Sequence, residues 1–270
     1  MASEVRAPQS PAPAVTRAAA ILDELAQAGT PLGPSELSRR LSLAKSSVAN
    51  ICTALAGTGM IRRTDTGYAL GRRLAELGGA YLATVDEVRD FHTSCARYAE
   101  QVEETLQLAT LDDGLDVVYL ARRDGSAPVK LASDIGRRLP ATCTAMGKAM
   151  LAALPAEEVE HRLAAIDRLP TLTDRSISAK RDLRAELARV RERGYAVDDE
   201  ETAQGVFCVA INLTDGGQAG PRSAISATML KARATEAHIA SLLEALRGIA
   251  HGMGAPENRG VAPSADQLAR

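Results

Sequence analysis

The chain has 270 residues, of which 46% are hydrophobic and 24% charged, with a formal net charge of −2; that is the balance of a globular protein with enough chain for two cores. No apolar run approaches the roughly 20 residues that cross a bilayer, which excludes a helical membrane span. Four cysteines without CxxC spacing (Cys52, Cys95, Cys143, Cys208) and four histidines without HExxH spacing (His92, His161, His238, His251) exclude a zinc knuckle and a secreted disulfide framework, so no metal and no cofactor is expected.

Residues 1–13 are rich in Ala, Pro and Ser without periodicity and are expected to form a disordered leader. No signal-like segment precedes the first helix, which makes a cytoplasmic location the expectation. Near Gly33-Pro34 a short helix begins, with proline suited to its first position; it offers Leu37 and Leu41 inward and keeps Arg39 and Arg40 outside. After a tight break, Val48, Ile51, Cys52 and Leu55 recur at helical spacing on one face, and Ser46, Asn50 and Thr53 lie opposite. Lys45, Ser46 and Ser47 form the first turn of this helix, where free N–H groups and the positive dipole end favour a phosphate.

Gly57 and Gly59 end the second helix, and residues 60–63 and 68–70 flank the turn Thr64-Asp65-Thr66-Gly67, whose Asp and Gly suit a hairpin. Two amphipathic helices with a short break also occur in ordinary helical cores. The added hairpin makes a winged helix-turn-helix, in which the second helix enters a major groove. Charge agrees: residues 1–80 carry nine Lys and Arg against six Asp and Glu, and the rest of the chain 23 against 28. The positive excess lies where phosphate would be met, so the expected partner is double-stranded operator DNA. The candidate DNA contacts are Arg39, Lys45, Ser46, Ser47, Asn50, Thr53, Arg62 and Arg63.

A linker helix follows over 72–83. Another helical pattern covers 85–102, with Val88, Phe91, Cys95, Tyr98 and Val102 on a shared side. From 105 the pattern shifts to period two or short apolar runs, predicting antiparallel strands at 105–111, 116–122 and 127–133, then 195–197, 206–213 and 223–229. Helices are predicted at 145–154, 179–193 and 236–249. Strands and helices that do not strictly alternate predict an α+β domain. The expected division is therefore a leader at 1–13, the winged helix-turn-helix at 14–71, the linker helix at 72–83, a second domain at 84–253 and a disordered tail at 254–270. Aromatic residues are only 3% of the chain, with no Trp, so a pocket here would use aliphatic walls, backbone groups and a few polar side chains.

Four segments, VTRAAAILDELAQAG, LSLAKSSVANICTAL, GRRLPATCTAMGKAMLAALP and GYAVDDEETAQGVFCVA followed by AISAT, together resemble the IclR family of bacterial transcriptional regulators. They occur in the family's order and spacing over about 14–253. The resemblance implies a homodimer, often a dimer of dimers. Its winged helix binds an operator, and its GAF-like C-terminal sheet with flanking helices holds an effector pocket. Such regulators repress or activate operons for catabolism of small or aromatic acids, which makes an aliphatic or aromatic carboxylate the expected effector.

The family's ligand contacts fall on the segment 144–148, chiefly Ala145 and Met146, and on Asp198, Cys208, Ser226 and Thr228. Thr144 would cap a helix whose first N–H groups face a carboxylate. Ser226 and Thr228, two apart on a strand, point the same way. Asp198 would accept from a ligand hydroxyl, although the run Asp198-Asp199-Glu200-Glu201 also reads simply as a solvated acidic loop. Gly147 reads as a close-packing glycine and Lys148 as a surface or bridging residue. Thr228 stands where the family often has a second serine, which adds a methyl and trims the cavity. Asn50 stands where the family commonly has Arg in the pattern Ser-Thr-Val-x-Arg, here Ser46-Ser47-Val48-Ala49-Asn50. Asn pairs with the adenine edge through two hydrogen bonds, so an adenine is expected opposite it.

Two other functions compete. Cys143 and Cys208 would make a thiol-based redox-responsive regulator if their thiols were acidic and accessible. Cys208 with Asp198 offers an enzyme a nucleophile and base, but the chain has no GxSxG elbow, P-loop or dinucleotide fingerprint, and an enzyme is not expected.

Overall fold

The computed structural model describes residues 11–98, 100–127, 134–214 and 222–255. The chain divides between Thr84 and Val85 into two compact units. Among the described residues no helix is long and apolar enough to cross a membrane.

In the first unit α1 (Pro13–Ala28), α2 (Pro34–Leu41) and α3 (Lys45–Gly57) precede a hairpin of β1 (Ile61–Thr64) and β2 (Gly67–Leu70), and α4 (Arg72–Ala83) follows. Ile21, Leu25, Leu37, Val48, Cys52, Leu55, Ile61 and Tyr68 are buried together, so the helical stripes meet the hairpin in one core. Ser42 makes the tight break between α2 and α3: it takes a left-handed φ of 53° and donates its N–H to Arg39 O, while Leu43 N donates to Ser38 O at 3.1 Å. Tyr68 exchanges two 2.9 Å hydrogen bonds with Leu32, which adds a third, one-residue strand to the wing. Gly67 is required there, since a Cβ would lie 2.4 Å from the Leu32 carbonyl.

The second unit is an antiparallel six-stranded sheet with helices. Its strands are β3 (Thr105–Leu111), β4 (Asp116–Arg123), β5 (Arg138–Pro140), β6 (Ala196–Asp199), β7 (Val206–Asn212) and β8 (Ser223–Leu230), in the spatial order β5-β4-β3-β8-β7-β6. The first and last hairpins thus meet through β3 and β8, whose pairing joins residues more than a hundred positions apart. Helix α6 (Ala145–Ala153) packs over β6, β7 and β8 and against α8 (Lys180–Arg193), with α7 (Ala156–Ala164) completing that core. Helices α5 (Asp86–Ala96) and α9 (Glu236–Gly252) pack on one another and on the sheet.

The expected α+β class holds, with differences of detail. The sequence places His161 on a helix but defines no bounds for α7, because it buries only Val159 and Leu163 and most of its remaining residues are charged. Strand β5 was not foreseen, because three residues carry no periodicity and only pairing with β4 defines them. Strand β6 runs to Asp199 rather than ending at 197: two aspartates, poor strand formers alone, are held extended by pairing with Cys208 and Phe207. Helix α5 ends at Ala96, short of the predicted 102. The predicted strand at 127–133, apart from Ala127, lies outside the described residues, as do 1–10 of the leader and 256–270 of the tail. Helix α1 begins at Pro13, the last position assigned to that leader.

Candidate functional site

Two sites are assembled, one in each unit. In the first, α3 exposes Lys45, Ser46, Asn50 and Thr53 and half-buries Ser47, opposite the buried Val48, Cys52 and Leu55. No side chain caps its N-terminus, so the first-turn N–H groups remain available to an anion. Arg62 and Arg63 are exposed on β1 beside the hairpin turn. The exposed Arg39 donates twice to Glu36, at 2.6 and 3.1 Å, and Arg40 donates to Glu36 and Glu24. Exposed pairs of this kind are weak, so a phosphate can compete for Arg39. The Thr53 hydroxyl donates to Ala49 O at 2.8 Å, which leaves it only an acceptor role toward a base.

In the second unit the strand register creates the site. Asp198 pairs with Cys208, Cys208 with Thr228 and Thr228 with Thr105, placing four polar side chains in a row across β6, β7, β8 and β3. One row along, Ser226 lies between Ala210 and Gln107. Helix α6 comes down on this surface because its approach is built from small groups: Ala196, Ala210 and Ala224 beneath it, and Gly147 in its first turn. A Cβ on Gly147 would lie 2.2 Å from Ala141 O, so the close-packing role expected of this glycine is met. The Thr144 side chain accepts from Gly147 N at 3.0 Å and caps the helix. The N–H groups of Ala145 and Met146 have no acceptor within the helix and emerge from its first turn.

The result is a cavity of about 50 Å³ lined by Gln107, Tyr119, Leu139, Thr144, Ala145, Met146, Asp198, Thr202, Ala203, Cys208, Ser226 and Thr228. All six residues proposed from sequence as effector contacts lie on its wall. Gln107, Tyr119, Leu139, Thr202 and Ala203 were missed. Gln107 had a visible signal, a polar residue among apolar ones on a predicted strand. Tyr119 sat among apolar strand residues, and Ala203 had no signal at all. The Thr228 hydroxyl lies 3.2 Å from Cys208 Sγ and 3.4 Å from Gln107 Oε1, and its single proton serves one of them at a time.

The acidic run is not a solvated loop. Asp198 is buried, with Oδ1 accepting from Glu201 N at 2.7 Å and Thr202 N at 3.2 Å and Oδ2 accepting from the Thr202 hydroxyl. This turn after β6 already fills most of the carboxylate's acceptor sites, leaving little for the ligand hydroxyl expected there. Burial pushes the Asp198 carboxyl up, while the Thr202 hydroxyl and Lys148 pull it back. Lys148 is a bridging residue and not a surface one: it is 1% exposed and its ammonium donates to Glu201.

The thiols do not suit a redox sensor. Burial pushes Cys143 and Cys208 above the ordinary thiol value, and Asp198 pushes Cys208 further. Cys208 is exposed only in part, on the cavity wall. A thiol that resists ionisation is a poor nucleophile, for a peroxide or for a substrate. Among the described residues no group of three or more His, Cys, Asp or Glu is placed to hold a metal.

Residues 79–254 match the family model for the bacterial transcriptional regulator IclR C-terminal domain, and residues 14–65 match the IclR helix-turn-helix domain. The HTH-type transcriptional regulator XynR of Escherichia coli is 31% identical over 235 residues, covering 86% of this chain and 92% of that protein. The E. coli regulator KdgR is 32% identical over 68% of this chain and 70% of its own. A solved structure of a putative transcriptional regulator from Rhodococcus shares 27% identity with a TM-score of 0.72, over 89% of this chain and 96% of that one. An IclR homologue from Microbacterium hydrocarbonoxydans, solved in complex with 4-hydroxybenzoate, has the same fold at 24% identity and a TM-score of 0.71, over 89% and 99% of the two chains.

Proposed function

The chain belongs to the IclR family of bacterial transcriptional regulators, and we propose that it is a cytoplasmic regulator of a catabolic operon that responds to a small organic carboxylate in its C-terminal cavity. The observation that carries this is the convergence, on one cavity, of the first-turn N–H groups of α6 with the Ser226, Thr228 and Tyr119 hydroxyls. Backbone donors at a helix start and neutral hydroxyls recognise an anion by directed hydrogen bonds. The small volume and the scarcity of aromatic walls favour a compact acid, aliphatic or singly aromatic.

In the first unit, α3 would lie in the major groove of operator DNA, with Lys45, Ser46, Ser47, Asn50 and Thr53 toward it, Arg39 on α2 nearby, and Arg62 and Arg63 on flanking phosphates. Asn50 would read an adenine. Helix α4 buries none of its residues and leaves Leu77 and Tyr81 exposed. Such a face supports a homodimer, or a dimer of dimers, formed through this helix. Acid binding then acts on DNA affinity only if the DNA-competent and incompetent states bind the acid differently.

The test is thermal unfolding and calorimetry of the full chain against acetate, lactate, pyruvate, succinate, benzoate and 4-hydroxybenzoate, with an operator-binding assay beside them. A ligand at a hundred times its Kd stabilises by about 2.7 kcal/mol. One acid of the panel is expected to bind, to change operator affinity, and to lose its effect in Ser226→Ala while that variant still binds DNA. Binding of none of them would overturn the carboxylate assignment.

A further inference from the structure

Behind the cavity wall two carboxylates share one ammonium. Asp198 lines the cavity, and Glu201 and Lys148 are buried next to it. Lys148 Nζ donates to Glu201 Oε1, whereas Glu201 Oε2 has no hydrogen-bond partner. The Glu201 backbone is tied on both sides, its N–H to Asp198 Oδ1 at 2.7 Å and its carbonyl accepting from the Ser176 hydroxyl at 2.7 Å, and its side chain is buried against Lys148. Fully ionised, this cluster holds one net negative charge away from solvent, with a bare carboxylate oxygen at its edge. Buried charges persist when they are paired and hydrogen-bonded; Glu201 is so only through Oε1, and its bare Oε2 together with the surplus negative charge of the cluster favours a proton there.

An anion entering the cavity makes this imbalance worse. The lining contains no cation, and the buried Lys148 is already given to Glu201. Arg137 acts on Tyr119 only from an exposed position, where solvent screens it, and among the described residues the other groups facing the cluster add no positive charge. Tyr119 on β4 and Cys208 on β7 are held neutral by burial, and so is Cys143 just before α6. From α8 the facing group is Glu186, a further negative charge, itself bound to Arg193 at 2.7 Å and Arg189 at 2.9 Å.

We propose that an acid bound in the cavity is accompanied by a proton taken up on Glu201, so that the ligand's charge is balanced by neutralising a carboxylate and not by a cation. The proposal rests on the carboxylate assignment above. Protonation of Oε2 removes one negative charge and leaves Lys148 to face Asp198, the carboxylate nearest the ligand. Burial pushes Glu201 up to about 7, with Lys148 pulling it back and Asp198 and Glu186 pushing it further, so near neutral pH the unliganded protein is poised to accept the proton.

Two measurements on the full chain decide it. Calorimetry at pH 8 with the same acid panel, in buffers of different ionisation enthalpy, reads protons taken up per acid bound. A value close to one is expected for the natural protein and close to zero for Glu201→Gln. Affinity should fall as pH rises above about 7, approaching tenfold per pH unit, and the variant should lose that slope. The acids themselves are ionised throughout this range. Acid binding with no proton uptake overturns the proposal and leaves the carboxylate assignment standing; binding of no acid removes both. Independently of any ligand, NMR of the protein labelled with carbon-13 at the glutamate carboxyls should show one titrating near neutral pH and absent from Glu201→Gln. Glutamate carboxyls that all titrate in the ordinary range would overturn it even if the variant failed to fold.

Discussion

Replacing Gly147 by Ala sets a methyl group where backbone already stands. The added Cβ would lie 2.2 Å from Ala141 O, 2.3 Å from its Cα and 2.6 Å from its carbonyl carbon. Contacts that short belong to no relaxed structure, and the opposing atoms are main chain that cannot rotate away. Helix α6 would have to lift off the loop before it, and it is held there by the Thr144 cap and by the buried Lys148–Glu201 pair. Overpacking a core costs about 1–3 kcal/mol, while the better helix propensity of alanine returns at most about 1 kcal/mol. A net loss of about 1–2 kcal/mol follows, or roughly 2–8 °C in the melting temperature of a unit this size. Acid binding should fall with it, since Ala145 and Met146 ride on the displaced turn. A Gly147→Ala protein that melts with the natural one and binds acid equally well would refute the assigned packing.

Asn50→Ala should cost about 1–3 kcal/mol on operators with adenine at the facing position and little on those without, measured by fluorescence anisotropy over a substituted operator set. Arg62→Ala and Arg63→Ala should each weaken binding on all sequences alike and reduce the slope of log K against log salt by about one; unchanged slopes would place these side chains off the phosphates. Stability should also carry the mark of Glu201. Its carboxyl titrates at about 7 in the folded chain against an ordinary 4.5, so between those values the native state binds the extra proton and stability falls as pH rises. Glu201→Gln removes this contribution. From pH 5 to pH 8 the variant should therefore gain about 2–3 kcal/mol relative to the natural protein, read by denaturant titration at each pH. A difference independent of pH would count against the raised carboxyl.

The first unit was almost wholly legible because its signals are local. A proline at a helix start, apolar residues at helical spacing and Asp-Thr-Gly at a hairpin turn each specify their own few residues, and the core of Val48, Cys52 and Leu55 follows from periodicity. What local pattern concealed was where short or charged pieces pair: Leu32 joining the wing, β5, and the extension of β6 through two aspartates.

The cavity divides the same way. That Ser226 and Thr228 share a face follows from a strand period of two, and Thr144 as a cap and Gly147 as a close-packing residue were readable from residue type; likeness to a family supplied Asp198 and Cys208. That Gln107 and Tyr119 stand beside them appears only in the folded chain, since it depends on β3 pairing with β8 across more than a hundred residues and on β4 pairing next to β3. The tertiary structure also decided the charges. A run of four acidic residues reads as solvated in any sequence, and what turns Asp198 and Glu201 inward is a tight turn whose N–H groups close on Asp198 and a lysine on α6, 53 positions earlier, that meets Glu201. Burial and ion pairing are properties of where the chain returns, and no window of sequence contains them.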